Sequence, residues 1–296
     1  MLIRRSTLIV PANIPRFVEK AHARGADAIC LDLEDSVTPD RKAEARKCLA
    51  SGIPLVGQRG ADVLVRINRP WELAFLDLDA AVIPGVKGIV MPKVQAPEDV
   101  YALDRLIEER ELSQGMPRRS VEIAVKLESP KGLLRAEQIA QASPRISTIS
   151  PGTEDFATEL GLELTDEGWE LFYSRAKVVV IAGAYGLEPT GLIGRTSDYR
   201  DLDGFRRAAV RARRLGYRGA SCIHPSQVDI LNEVFRPTTE QLDRARRLVN
   251  QAESAAAAGL GAFGFEGQMA DVPTVERARR LLARSAAIEQ RESAPG

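Results

Sequence analysis

Two short segments carry acids where a parallel-barrel enzyme keeps its chemistry. Lys126-Leu127-Glu128-Ser129-Pro130 and Ser150-Pro151-Gly152-Thr153-Glu154-Asp155-Phe156 each place a carboxylate at or just past the end of a β-branched run. The C-terminal ends of barrel strands are where catalytic groups collect. Glu128 and Asp155 together suit a divalent cation, because Mg²⁺ takes one or two protein carboxylates and completes its octahedron with water and substrate oxygens. A 2-oxo acid chelating through its carboxylate and carbonyl, with two waters, would fill the rest. The alternative is that Asp155 or Glu154 simply caps the helix that starts near Phe156.

Residues two apart on a strand share a face. In the run from Ala28 to Asp35, Cys30, Asp32 and Glu34 take one face while Leu31 and Leu33 take the other, so both acids can point toward a barrel mouth. Arg66 shares parity with Leu64 and Asn68 near the end of the next run. An inner-face guanidinium at a strand end suits a substrate carboxylate; the plainer reading is a buried network in which Arg66 pairs with Asp32 or Glu34. Lys93, in Met-Pro-Lys-Val, could form a Schiff base, but that chemistry needs an amine free of carboxylates, and this mouth is rich in them. His224, before Pro225, reads as a hydrogen-bonded structural residue.

The elements that must position these groups follow from the pattern. Short runs of Val, Ile and Leu alternate with longer amphipathic stretches, the signature of βα units on a parallel sheet. The runs are 6–12, 28–35, 62–68, 88–94, 121–129, 146–152, 178–186 and 219–225. Eight strands over about 220 residues make a (β/α)8 TIM barrel rather than an open sheet, and no glycine-rich phosphate fingerprint follows the first run. Helices are expected over 14–24, 39–49 and 97–110. Past the eighth run come a helix from Thr239 to about Ala258, a Gly-rich break over 259–267 and a last helix over 273–290, so the C-terminal helical extension reads as a separate, movable piece. The expected division is a barrel over residues 1–237 and the extension over 238–296.

With 296 residues, 44% of them hydrophobic, the chain can bury one large core. Lys+Arg and Asp+Glu both number 41, so no global field draws it to nucleic acid or anionic lipid. The basic run Arg206, Arg207, Arg211, Arg213 and Arg214 reads as a solvated helix face. Three scattered cysteines make no disulfide framework, and no stretch resembles a signal or a membrane span. A soluble, cytoplasmic protein is expected.

In this order, the residues resemble a known family: the beta subunit of citrate lyase and its relatives, the malyl-CoA, citramalyl-CoA and citryl-CoA lyases of the HpcH/HpaI aldolase superfamily. The resemblance is carried by Arg5-Ser6-Thr7-Leu8-Ile9-Val10-Pro11, Gly25-Ala26-Asp27 through Asp35, Val65-Arg66-Ile67-Asn68 and Met91-Pro92-Lys93-Val94. It continues in Leu127-Glu128-Ser129, Gly152 through Phe156, Ile223-His224-Pro225-Ser226-Gln227 and Gly267 through Pro273. It implies a (β/α)8 barrel, a homotrimer or hexamer, that cleaves or forms a carbon–carbon bond next to a CoA thioester. By the family's pattern Glu128 and Asp155 would hold Mg²⁺, with Mn²⁺ as a substitute, and Arg66, flanked by Glu34 and Asp32, would grip the oxo acid. Asp271 would be the acid/base at the acyl-CoA α-carbon, delivered by a neighbouring subunit's C-terminal segment; its plainer reading is a helix cap before Pro273. The chain departs from the pattern in Ala12-Asn13 after Pro11, in Ala220-Ser221-Cys222 before Ile223, and in Thr190 where many members have Asp.

The reading that follows is a Mg²⁺-dependent lyase splitting a malyl-, citramalyl- or citryl-type CoA thioester into an acyl-CoA and a 2-oxo acid. It works alone or with other citrate lyase subunits. The alternatives are a malyl-CoA thioesterase, an aldolase on a free hydroxy acid, and a non-catalytic barrel subunit.

Overall fold

The computed structural model describes residues 1–194 and 199–293. The chain divides into two compact units, Leu2–Phe235 and a C-terminal unit that begins at Arg236.

In the first unit the elements run β1 (Ser6–Pro11), α1 (Pro15–Ala21), β2 (Ala28–Asp32), α2 (Lys42–Val56), β3 (Asp62–Arg66), α3 (Trp71–Ala81), β4 (Gly88–Met91), α4 (Pro97–Ser113) and β5 (Glu122–Leu127). They continue through α5 (Pro130–Leu134), α6 (Ala136–Ala140), β6 (Ile146–Pro151), α7 (Glu154–Leu160), α8 (Phe172–Tyr185), β7 (Glu188–Pro189), α9 (Leu202–Leu215), β8 (Ala220–Cys222) and α10 (Val228–Val234). The strands form one parallel sheet in the order β7-β6-β5-β4-β3-β2-β1-β8. Its ends meet through a parallel bridge between Thr190 and Gly219 and the bond from Gly191 N–H to the Gly219 carbonyl at 2.9 Å. The architecture is the expected TIM-barrel type.

Strand parity sorts two hydrophobic layers. Ala28, Cys30, Leu64 and Val90, with Ile9 and Ala124, fill the inside of the barrel. Their sequence neighbours Ile29, Leu31, Val63, Val65, Ile89, Val125 and Leu127 join the layer beneath the helices. The inner set is small, so the barrel interior can take polar side chains near its mouth. Burial pushes the Cys30 thiol up to about 12, helped by the charge of Asp32, so this cysteine behaves as a small apolar group.

The seventh strand is a correction. The run 178–186 is not a strand: it is the second half of α8, whose buried positions Ser174, Arg175, Val178, Ile181 and Ala182 keep helical spacing and whose end is closed by Gly186 at φ 68°. A short apolar run reads equally well as a buried strand or as one flank of a buried helix. The strand itself is the two-residue Glu188–Pro189.

The C-terminal unit holds α11 (Thr239–Ala257), a hairpin of β9 (Phe263–Phe265) and β10 (Gln268–Ala270), and α12 (Val272–Ser293). Ala245 and Leu248 of α11, Phe265 and Ala270 of the hairpin and Ala278 of α12 share one small core. The Gly-rich break is therefore a hairpin that clasps the two helices, and α12 does not stand apart from α11. Among the described residues no helix is long and apolar enough to cross a membrane.

Candidate active site

The mouth is organised from β2 and β3. Asp32, the last residue of β2, pairs in register with Arg66, the last residue of β3, and its inward parity brings it beneath the guanidinium. Arg66 Nε and Nη2 each lie 2.7 Å from Asp32 Oδ1 and Oδ2, a bidentate pair. The Asp32 carboxylate also accepts from Glu34 N–H at 3.0 Å, Ser36 N–H at 3.1 Å and Ser36 Oγ at 2.5 Å. Burial would raise this carboxyl, but the Arg66 bonds and charge, with Ser36, hold it below the usual range.

Asp32 is wholly buried and lines no part of the cavity described below. Its two oxygens are shared between Arg66, Ser36 and the Glu34 N–H, so it aims the guanidinium from behind. Glu34 differs: its two oxygens lie 2.9 Å from Lys93 Nζ and 2.8 Å from Arg66 Nη1, ion pairs whose angles fall short of hydrogen-bond alignment. Burial raises its carboxyl above the ordinary value, against the pull of Arg66 and Lys93. Glu34 is thus a second brace for Arg66, not a cavity-lining group. Three of the guanidinium's five N–H groups can be spent on these acids, and Arg66 still lines the cavity.

The other half of the mouth comes from β5 and β6. Glu128 is one inward position beyond Lys126, whose Nζ lies 2.5 Å from Glu128 Oε1. Glu128 Oε2 accepts the backbone N–H of Lys93 at 2.9 Å. That N–H points inward because Lys93 adopts a left-handed backbone, φ 54°, a conformation that costs a non-glycine residue of order 1–3 kcal/mol and collects at functional sites. Lys93 is therefore a brace for both Glu128 and Glu34. Burial would lower its ammonium pKa, but the Glu34 contact outweighs it and raises the value, the opposite of the depressed amine that Schiff-base chemistry uses.

Gly152 closes against Glu128: a Cβ there would lie 2.4 Å from Glu128 Cγ. Asp155 follows in the first turn of α7, where no side chain caps the helix, so the capping alternative is not what the structure shows. Burial, then the charge of Glu128, raises the Asp155 carboxyl above its ordinary value, with Lys93 opposing.

Arg66, Lys126, Glu128 and Asp155 face one cavity of about 240 Å³, walled also by Ser150, Gly152, Thr190, Ser221 and Ile223. Asp35 and Lys126 belong to this lining and were not singled out in the sequence, although Lys126 has the parity of Glu128. His224 accepts from Ser226 N–H at 3.2 Å and stacks on Tyr199 with centroids 5.0 Å apart, a structural role. Asp271 lies in the C-terminal unit, where its Oδ1 accepts from Thr274 N–H at 3.2 Å and Thr274 Oγ1 at 2.8 Å. It caps α12, and those bonds hold its carboxyl below the usual range.

The donor set fits a hard cation. Four carboxylates, Asp35, Glu128, Glu154 and Asp155, line the cavity, and after burial the charges of Glu128 and Asp35 raise the Asp155 carboxyl, a repulsion that a divalent ion would relieve. Among the described residues no group of three or more His, Cys, Asp or Glu is arranged to hold a metal, so the protein alone builds no complete cage.

Comparison with known proteins decides the family. Residues 5–225 match the model of the HpcH/HpaI aldolase/citrate lyase family. This chain belongs to that family. It is 35% identical over 283 residues to citrate lyase subunit beta of Escherichia coli K12, covering 95% of this chain and 93% of the relative. It is 33% identical to the L-malyl-CoA/beta-methylmalyl-CoA lyase of Cereibacter sphaeroides, covering 96% and 95%. Among solved structures, CitE of Mycobacterium tuberculosis in complex with magnesium, acetoacetate and coenzyme A superposes with a TM-score of 0.74 at 28% identity, covering 95% of this chain and 97% of that one. A citrate lyase of Burkholderia xenovorans shares the fold at a TM-score of 0.83. The family member described here is a lyase.

Proposed function

We propose that this lyase cleaves, or in reverse condenses, a 3-hydroxyacyl-CoA of the malyl-, citramalyl- or citryl-CoA type, giving an acyl-CoA and a 2-oxo acid. The observation that carries the reading is the convergence of Arg66, Glu128 and Asp155 on one cavity at the C-terminal end of the barrel. Its relatives' named substrates and the magnesium, acetoacetate and coenzyme A bound to the Mycobacterium tuberculosis neighbour support it.

Glu128 and Asp155 would hold Mg²⁺, with Mn²⁺ able to substitute; when bound, the ion supplies Lewis acidity that eases loss of the substrate's hydroxyl proton. Arg66, fixed on Asp32, binds and orients the carboxylate of the oxo-acid half. As the hydroxyl proton passes to water and its oxygen becomes the oxo-acid carbonyl, the bond between the hydroxyl-bearing carbon and the thioester α-carbon breaks and leaves its electron pair on the α-carbon as an enolate. Asp271 of a neighbouring subunit would relay a proton from water to that carbon; in condensation its carboxylate, the form that the Thr274 bonds favour, would take the proton from the α-carbon. Asp271 at the end of a capped helix, held by Thr274, is a rigidly presented carboxylate. A homotrimer or hexamer, alone or with citrate lyase partners, is the assembly this mechanism calls for.

The test is product analysis on a panel of malyl-, citramalyl- and citryl-CoA with wild type and Asp271→Ala. The proposal expects equimolar oxo acid and acyl-CoA from the wild type, and loss of turnover with retained oxo-acid binding in the variant. Release of free CoA with an intact hydroxy acid would instead mark a thioesterase. Turnover of the free hydroxy acid would mark an aldolase, and no turnover of any of these would leave a non-catalytic barrel.

A further inference from the structure

A second cavity lies on the outer face of the barrel unit. It shares no lining residue with the mouth and measures about 370 Å³, within the range of small-molecule sites. It is walled by the start of α8 and by α9.

Its base is Arg175, which is 2% exposed. A buried guanidinium ordinarily has a carboxylate partner. Arg175 has none within ion-pair distance among the described residues; its Nη1 donates to the Gly168 carbonyl at 2.7 Å, and its Nε is buried without any hydrogen-bond acceptor. Gly168 is forced by this contact, since it adopts φ 70° and a Cβ would come within 2.4 Å of Arg175 Nη1. Two further guanidinium groups, Arg211 and Arg214, line the same cavity. Arg211 is held by the Ile193 and Asp166 carbonyls, and Arg214 makes no ion pair among the described residues. Among the described residues the lining holds one acid, Glu167, against three guanidinium groups. Burial presses the Arg175 guanidinium below its ordinary value, with Tyr217 and Glu170 opposing and the charge of Arg211 adding to the effect.

One wall is aromatic. Trp169 and Phe172 pack with centroids 5.3 Å apart and remain 72% and 44% exposed. Guanidinium donors in a fork match phosphate oxygens, and an exposed indole offers a face on which a flat ring can stack.

We infer that the Trp169–Arg175–Arg214 cavity binds a phosphate ester bearing a planar ring, the chemistry of a nucleotide. Its negative charge supplies the direct ion-pair partner that Arg175 does not have among the described residues, and its ring covers the exposed indole.

The chain has two tryptophans, so a Trp71→Phe variant makes Trp169 the only indole reporter. Titrated with AMP, this variant should show a saturable fluorescence change with a dissociation constant below about 1 mM. Adding Arg214→Ala, at an exposed position, should weaken that binding about tenfold, the loss expected of one charge-assisted contact; Arg175→Met should weaken it at least as much. Adenosine or inorganic phosphate alone should bind much more weakly. AMP bound in the mouth would not respond to Arg214→Ala. The inference is overturned by no saturable change, by a change that Arg214→Ala leaves intact, or by phosphate or adenosine binding as well as AMP. It is also overturned if acrylamide quenches Trp169 no better than a buried indole in the native assembly, because another subunit would then cover the site.

Discussion

Glycine at position 152 is a geometric requirement of the Glu128 site, and its replacement gives a sharp prediction. In Gly152→Ala the new methyl would lie 2.4 Å from Glu128 Cγ and 2.9 Å from its Cβ. Ordinary contact begins near 3.4 Å, so the carboxylate stem must retreat by about 1 Å, the difference between 3.4 and 2.4. A misplacement of that size costs a positioned group about 10²-fold in rate, and overpacking of this kind costs about 1–3 kcal/mol of stability. The assay is steady-state release of oxo acid from the best CoA thioester, with urea unfolding to show that the protein remains folded. Gly183→Ala, on α8 with open space around it, is the control and should leave turnover unchanged. A folded Gly152→Ala enzyme within a few-fold of wild type would refute the claim that Glu128 has a fixed catalytic place.

Lys126→Met removes the internal cation from Glu128 Oε1; Mg²⁺ affinity measured by calorimetry should rise about tenfold, and an unchanged or weaker affinity would contradict the competition between ammonium and metal. Asp32→Asn should cost about 3 kcal/mol in urea unfolding at neutral pH, near the lower bound for losing one partner of a buried pair, because Glu34 still faces Arg66. The Asp32 carboxyl is held below its unfolded value of about 3.9. Its contribution is therefore complete above that pH and lost as pH falls through the folded value, and the gap between wild type and variant should close under acid conditions. Asp155 behaves oppositely: its raised carboxyl stabilises the metal-free protein only below its folded pKa and loses that benefit as pH rises through it. Metal-free Asp155→Asn should then melt slightly higher at pH 7, by less than about 1 kcal/mol after solvent screening, while losing Mg²⁺ binding; equal melting of the two would count against the repulsion with Glu128.

Much of this site could be read from alternation. The inward parity of Cys30 and Asp32, of Leu64 and Arg66, and the strand-end position of Glu128 bring the main groups to one mouth from the sequence alone. Parity also pairs Lys126 with Glu128, so that lysine was available to the same reasoning. Parity stops where the strand stops: Asp35 and Glu34 lie past β2, and only the fold shows that Asp35 reaches the cavity while Glu34 turns to Lys93. The bond network that commits Asp32 to Arg66 and Ser36 is likewise a matter of turn geometry. So is the left-handed backbone of Lys93, which no propensity of lysine announces. The seventh strand is not legible in the sequence because Val178–Ile181 is apolar enough for a strand while packing one flank of a helix, and because a two-residue strand leaves almost no pattern.

Calorimetric titration of Mg²⁺ into the wild type and into Asp155→Ala, each with and without an oxo acid such as glyoxylate or oxaloacetate, decides whether Glu128 and Asp155 hold the ion. One saturable site is expected in the wild type that needs the oxo acid for full affinity and whose affinity falls by at least about 100-fold when Asp155 is removed, since one of two protein ligands is gone. Mg²⁺ binding that survives Asp155→Ala unchanged, or no oxo-acid-linked binding in the wild type, would contradict that assignment.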